Sequence, residues 1–181
     1  MPQHRLLGLS GSLRGDATNR KLLSEAARLY GDADYTEANL RLPLYDGDLE
    51  DAHGIPPDVQ KLADQITQAD AVLISTPEYN KMLSGVLKNA LDWVSRVEAN
   101  PWKDKPVAVM SAAAGRTGGE VAQFTLRQAM VPFRPGLLHG PQVMIASARK
   151  EFDEDGRLIN ERYVTTLTLL MADLRSKVGP L

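Results

Sequence analysis

The chain contains no cysteine. That excludes disulfides, thiol nucleophiles and iron–sulfur ligation, and it fits a reducing compartment, so a cytoplasmic location is expected. Histidine is almost as scarce. His4, His53 and His139 are scattered without ligand spacing, and no metal centre is expected. No apolar run approaches the roughly 20 residues of a membrane span, and the apolar part of the opening MPQHRLLGLSG is too short for a secretory signal. Neither membrane attachment nor export is expected. An excess of one charge is also missing. The 21 lysines and arginines against 23 acidic residues leave −2, with no basic block to recommend nucleic acid. No linker, composition shift or internal repeat divides the chain, and its 181 residues suit one domain spanning residues 1–181.

The most informative stretch is RLLGLSGSLRGDATNR, Arg5 to Arg20. Leu6, Leu7 and Leu9 make one short buried strand. Ser10, Gly11 and Ser12 end it, Arg14 and Gly15 follow, and Thr18-Asn19 opens a helical pattern. A strand, a polar turn and a helix start bring backbone N–H groups and hydroxyls to one point, which suits a phosphate. Arg14 adds a planar cation able to hold two phosphate oxygens. The competing reading is a Ser/Gly-rich loop that happens to carry an arginine. Better-known motifs fail on spacing. A P-loop needs G-x-x-x-x-G-K-S/T, and that lysine is absent. The dinucleotide fingerprint needs G-x-G-x-x-G, but the glycines fall at Gly8, Gly11 and Gly15. A hydrolase elbow needs G-x-S-x-G, and Ser12 stands where the last glycine belongs.

Along the rest of the chain, strand and helix alternate. A helix is predicted over Thr18 to Tyr30, with Leu22, Leu23, Ala26, Ala27 and Tyr30 on one face and Gly31 as its stop. Ala33 to Leu40 reads as a polar edge strand. Arg41 to Pro57, with its acidic stretch Asp46 to Asp51, reads as a long surface loop. Val59 to Gln68 is a helix with prolines at its start. Ala71 to Ser75, AVLIS, is apolar throughout, as a central parallel strand should be. The turn Thr76-Pro77-Glu78-Tyr79-Asn80 follows, then a helix over Ser84 to Arg96. Pro106 to Met110 is a strand, Ser111 to Gly119 (SAAAGRTGG) a small-residue turn, and Glu120 to Met130 a helix. Val143 to Ala146 is a strand and Ile159 to Val178 a final helix. Short strands joined by helices imply parallel β-α-β units with right-handed crossovers. In a doubly wound sheet of order 2-1-3-4-5, the turns at Ser10, Pro77 and Ser111 converge on one edge at the switch point.

With these turns in place, the chain resembles the NAD(P)H-dependent FMN reductase family of the flavodoxin-like fold, which includes soluble quinone, chromate and azo reductases. The match is carried by Gly11-Ser12-Leu13-Arg14 with Asn19, by Pro77-Glu78-Tyr79-Asn80, by Ser84 to Trp93 (SGVLKNALDW), and by Gly118-Gly119 with Leu126-Arg127. It runs from about Leu6 to Gln142. The resemblance implies an α/β three-layer sandwich, a five-stranded parallel sheet with helices on both faces. It also implies FMN as bound cofactor. Ser12, Arg14 and Asn19, with Ser10 beside them, correspond to the phosphate loop. Pro77, Glu78, Tyr79 and Asn80 correspond to the turn bordering the ring and ribityl chain, and Ser111 and the turn around Gly118 to the other side of the ring. Ala17 departs from the serine often found two residues before Asn19, and Thr18 is the candidate replacement hydroxyl.

The function implied is two-electron transfer from NADPH or NADH to a small acceptor: quinones first, then chromate, azo or nitro compounds, or free flavin. No catalytic side chain is required, because the flavin carries the hydride chemistry. The rivals are a flavodoxin-like electron carrier docking on a redox protein, a flavin reductase that releases FMN, and, most distantly, a serine hydrolase. The predicted helix Ser84 to Arg96 is apolar over about half its circumference, with Met82 and Trp93 at the edge of the stripe. That width points to a partner surface. The resemblance likewise implies a homodimer, or two dimers paired as a tetramer.

Overall fold

A computed structural model of the chain describes residues 3–180. Strands β1 (His4–Ser10), β2 (Ala33–Glu37), β3 (Ala71–Thr76), β4 (Pro106–Ala112), β5 (Gly136–Leu137) and β6 (Val143–Ile145) form one parallel sheet. Its order is β2-β1-β3-β4-β5, with β6 also paired to β4. This is the expected doubly wound order. The fifth position, expected as one strand, is filled by two short ones. β5 pairs with Pro106 and Val107 at one end of β4, and β6 with Met110 to Ala112 at the other. Between them stands Pro141, which has no N–H to donate to a ladder.

The pleat divides the apolar residues between two cores. Leu6, Leu73, Ala108 and Met110 face α1 (Thr18–Tyr30) and α6 (Glu161–Val178). Leu7, Leu9, Val72, Ile74, Val107 and Val109 face α3 (Pro57–Gln68), α4 (Gly85–Val94) and α5 (Glu120–Met130). Alternate residues of each central strand thus serve opposite layers, and β3 is buried at every position. Gly8 makes room for the Tyr35 ring in this packing. A Cβ there would lie 2.4 Å from the Tyr35 hydroxyl, whose ring crosses β1 from the edge strand.

The stretch 41–57, expected as loop, contains helix α2 (Gly47–His53). Asp46 caps it by accepting from the Asp48 N–H at 2.9 Å, and Asp48 and Glu50 occupy its first turn. The acidic stretch is therefore the negatively charged start of a helix, where the macrodipole favours it. None of its residues is buried, so it shows no apolar periodicity to read. The segment is held to α4 by Arg96 on Glu50 at 2.9 Å and by Tyr45, whose ring meets Trp93 edge-on at 5.0 Å. The Trp93 indole N–H donates to the Pro43 carbonyl at 2.8 Å. Trp93 is fully buried by this segment of its own chain and is not part of an open surface, whereas Met82 is half exposed. Other boundaries shift with capping. Ser84 accepts from Leu87 N–H ahead of α4, and Asn160 accepts from Arg162 N–H ahead of α6, leaving Ile159 outside the helix.

After β6 the chain turns back over α1. Phe152 and Leu158 form an antiparallel bridge, and Arg157 reaches the Glu25 carboxylate at 3.2 Å. Glu25 also accepts from Arg28 at 2.7 and 3.0 Å, and its side chain is 1% exposed. Burial pushes this carboxyl up, but the hydrogen bonds and charges of Arg28 and Arg157 outweigh it and hold the group below its ordinary value of 4.5. The carboxylate therefore stabilises the fold above that ordinary value, and the contribution is lost as pH falls through the lowered one. Both arginines are about half exposed, which moderates the loss when the pair is broken. Glu25→Gln should lower stability by about 1–3 kcal/mol at pH 7. The gap to wild type should close as the pH falls below 4.5. Urea midpoints across that range check both statements; a gap independent of pH would mean that packing, not charge, is lost.

Candidate functional site

The turns after β1, β3 and β4 meet at one edge of the sheet, and Asn19 joins them. Its side-chain oxygen accepts from the Ser75 hydroxyl at 2.8 Å and from the Ala112 N–H at 3.1 Å, while its amide donates to the Ala112 carbonyl at 2.9 Å. The first residue after β1, Gly11, donates its N–H to Ser75 at 2.8 Å. A Cβ on Gly11 would lie within 2.9 Å of Pro77, Ser84 and Leu87, so only glycine permits this approach between the first two turns.

Above this junction lies a cleft of about 580 Å³. Of the residues singled out in the sequence, Ser12, Arg14, Thr18, Asn19, Pro77, Glu78 and Tyr79 line it, and Ser10, Asn80, Ser111 and Gly118 do not. Ser10 is buried. Its hydroxyl donates to the Ser12 carbonyl at 3.0 Å and accepts from the Ser12 N–H at 3.2 Å, which shapes the turn from within. α1 opens into the cleft with Ala17 at its cap position and no side-chain cap. The first N–H groups of a helix have no partner four residues back; here Arg20 donates to the Ala17 carbonyl at 2.9 Å, which leaves the N–H groups of Thr18 and Asn19, both lining the cleft, as those available to a ligand. The alanine that departs from the family pattern thus withholds a competing cap. Arg14 stands beside this helix end. Among the described residues it has no carboxylate within ion-pair distance, whereas Lys21 is paired with Asp16 at 2.8 Å.

The Pro77 turn is organised by its own polar groups. The Glu78 carboxylate accepts from Val121 and Ala122 N–H at 3.0 and 3.2 Å and pairs with Lys81 at 3.2 Å. It supplies the cap that Gly119 cannot give α5. Burial raises its pKa, but those N–H groups and Lys81 together bring it below the ordinary value. Glu78 is therefore an anchored carboxylate and is unsuited to donating a proton near neutral pH. Tyr79 and Met82 exchange backbone hydrogen bonds at 3.2 and 3.1 Å around Asn80 and Lys81, both with left-handed φ (50° and 64°). That tight reversal puts Asn80 at the tip, away from the cleft, and leaves Tyr79 half exposed at the cleft rim.

Ser111 is fully buried. It donates to the Gly118 carbonyl at 2.6 Å and accepts from Gln123, which also donates to Val143 at 2.7 Å. Gly118 has φ 64°, and a Cβ there would lie 2.6 Å from the Met144 backbone. These residues fold the third turn. The surface it shows the cleft is Ala112, Ala113 and Ala114. Sequence reasoning missed these alanines, and it missed Arg149 and Phe152, which enter from the loop after β6. The signal available was positional: a cation and an aromatic following a strand at the same sheet edge. The cleft thus has an anion-binding end made of the open helix start and Arg14. It also has a wall of small side chains and two aromatic rings. This arrangement fits a planar cofactor with a phosphate tail, such as FMN.

The model of the NADPH-dependent FMN reductase family matches residues 4–150. An NAD(P)H-dependent FMN reductase of Pseudomonas aeruginosa is 44% identical over 160 residues, covering 87% of this chain and 86% of that protein. A quinone reductase of Escherichia coli K12 is 34% identical over 168 residues, covering 91% and 89%. Among solved structures, FerB, a flavoenzyme NAD(P)H:(acceptor) oxidoreductase from Paracoccus denitrificans, superposes with a TM-score of 0.87 at 30% identity, covering 97% of each chain. An archaeal flavodoxin superposes at 0.64 with 11% identity, a likeness of fold alone. By sheet order, by the open start of α1 and by similarity over nearly its whole length, the chain belongs to the NADPH-dependent FMN reductase family.

Proposed function

We propose that this protein binds FMN in the cleft and passes two electrons from NADPH or NADH to a small acceptor, with quinones foremost. The observation that carries the reading is the open N-terminus of α1 beside Arg14, set at one end of a cleft floored by alanines. Bound there, FMN supplies a ring that accepts and returns hydride. The chain's own residues position it. Ser12, Arg14 and the first N–H groups of α1, with Thr18, hold the phosphate, and Asn19 and Ser10 keep that turn in shape. Pro77, Glu78 and Tyr79 border the ring on one side. Ser111 and Gly118 fix the turn that borders it on the other, and Asn80 holds the tight reversal behind Tyr79. No side-chain acid is needed. Alternation of donor and acceptor at one ring face gives ping-pong kinetics. The low net charge of −2 is a poor match for an acidic electron carrier. Direct bleaching of the yellow protein by NADPH without a partner protein is expected, and a colour that persists would favour the carrier.

The half-exposed Tyr79, Met82 and Phe124 lie on adjoining elements, since Leu83 N–H donates to the Thr125 hydroxyl at 2.9 Å. This apolar group beside the cleft supports a two-fold homodimer, alone or paired into a tetramer; the absence of cysteine supports a reducing compartment, the cytoplasm. Light scattering at micromolar protein should give a dimer or tetramer mass, and Met82→Glu with Phe124→Glu should shift it to the monomer.

The phosphate end makes the sharpest test. FMN and riboflavin differ only by the phosphate, so binding energy from Arg14 should be invisible to riboflavin. Each charge-assisted hydrogen bond contributes about 1.5–3 kcal/mol, so Arg14→Ala should weaken FMN roughly 10- to 150-fold. Riboflavin affinity for the apoprotein should hardly move. Equal weakening of both flavins would make Arg14 a support of the fold, and no weakening of either would place the phosphate elsewhere.

A further inference from the structure

Among the described residues, Arg149 is the one cation of the cleft that neither the fold nor the proposed FMN contacts employ. It stands on a short helical turn, Ala148–Lys150, which follows β6. The backbone beneath it is fixed. Ala148 is buried and donates its N–H to the Ala113 carbonyl at 3.0 Å, Ser147 donates to Gly115 at 3.3 Å, and Ser147 takes a left-handed φ of 48°. A non-glycine residue held in that region marks a turn determined by its surroundings. Arg149 lines the cleft, as does Phe152 three residues on, and among the described residues Arg149 makes no ion pair or side-chain hydrogen bond. The other charges of the cleft are accounted for: Lys21 is paired with Asp16, Glu78 with Lys81 and the start of α5, and Arg14 adjoins the open start of α1. β6 lies three strand positions from β1, so Arg149 enters the cleft from a different wall.

We propose that Arg149 receives a phosphate of the nicotinamide donor, with Phe152 providing an adjacent ring face for its adenine. The inference rests on FMN occupying the phosphate loop. A donor that shares the flavin's cleft brings further phosphate groups into it, and a guanidinium on a rigid backbone with no protein partner is the group suited to hold one in two-point contact. The aromatic beside it suits a base, because a flat ring offers contact at little entropic cost.

The test titrates FMN-loaded protein, wild type and Arg149→Ala, with 2′,5′-ADP, 5′-ADP and adenosine by calorimetry. Arg149→Ala should weaken 2′,5′-ADP about 10- to 100-fold, the loss of one charge-assisted bond, and leave adenosine unchanged. Arg149→Lys should lie between. If 5′-ADP is unaffected, the phosphate held is the 2′-phosphate, and the KM for NADPH should rise without a matching rise for NADH. If both nucleotides weaken equally, the phosphate held is the 5′-phosphate they share, the adenosine-side phosphate of the donor's pyrophosphate. Unchanged affinity for both nucleotides overturns the proposal. So does a loss of FMN affinity in apo Arg149→Ala with riboflavin spared, which would assign Arg149 to the flavin phosphate. Failure of wild-type apoprotein to bind FMN is a different result; it would overturn the reading of the cleft and this inference with it.

Discussion

The cleft depends on one buried amide. Asn19 is 2% exposed and bridges the start of α1 to Ser75 at the end of β3 and to both backbone groups of Ala112 at the end of β4. Strand ends have N–H and C=O groups that the sheet no longer pairs, and burying them without partners would cost free energy at each. One side chain that both donates and accepts settles both backbone groups of Ala112 at once and takes the Ser75 hydroxyl as well. It also fixes where α1 begins relative to the sheet, which an apolar residue in the same space could not do. The helix start, the Pro77 turn and the alanine turn keep their mutual positions because this junction sets them.

Around the junction, polar side chains are engaged in shaping backbone. Ser10 closes its own turn, Ser111 and Gln123 brace the third, and Glu78 caps α5. Gly11 and Gly118 allow contacts that a methyl group would block. What faces the cleft includes five alanines, Ala17, Ala112, Ala113, Ala114 and Ala148, beside short polar side chains, two aromatic rings and polar groups already tied to the backbone or to each other. Such a surface can fit a rigid planar ligand closely, because little side-chain entropy is lost when it binds.

The sheet order and most elements were legible because apolar runs and helical spacing report burial directly. β3 reads as AVLIS, and α1 shows its stripe. Three features were not legible. α2 buries none of its residues, so it carries no periodicity, and its acid-rich start resembles a solvated loop. The fifth strand position is split because pairing depends on where Gly136 and Val143 meet β4, a tertiary register that no local pattern encodes. Trp93 sits at the edge of the apolar stripe of α4, and its cover comes from Pro43 and Tyr45, some fifty residues away. In the cleft, the turns were found as turns, and Ser12, Arg14, Thr18, Asn19, Pro77, Glu78 and Tyr79 line it as expected, but Ser10, Asn80, Ser111 and Gly118 do not. Ser10 and Ser111 look like ligand hydroxyls in a sequence and prove to be buried braces. Arg149 and Phe152 lie beyond the part of the chain where motifs could be recognised.

The electrostatics of the cleft follow from the same division of labour. Its carboxylates are each neutralised within the protein: Asp16 by Lys21, and Glu78 by Lys81 and two backbone N–H groups. Both are held below their ordinary pKa values, Asp16 chiefly by its hydrogen bond to Lys21 and Glu78 against the effect of its burial. No histidine is among the lining residues. The two carboxylates of the cleft therefore stay charged through the neutral range and neither is poised to give up a proton there. That suits hydride transfer, in which the electron pair moves with its proton and the enzyme's task is alignment. It also explains why the cations matter more than any acid. In a cleft whose anions are already paired, an arginine without a carboxylate partner has no internal anion to compete with a ligand's phosphate.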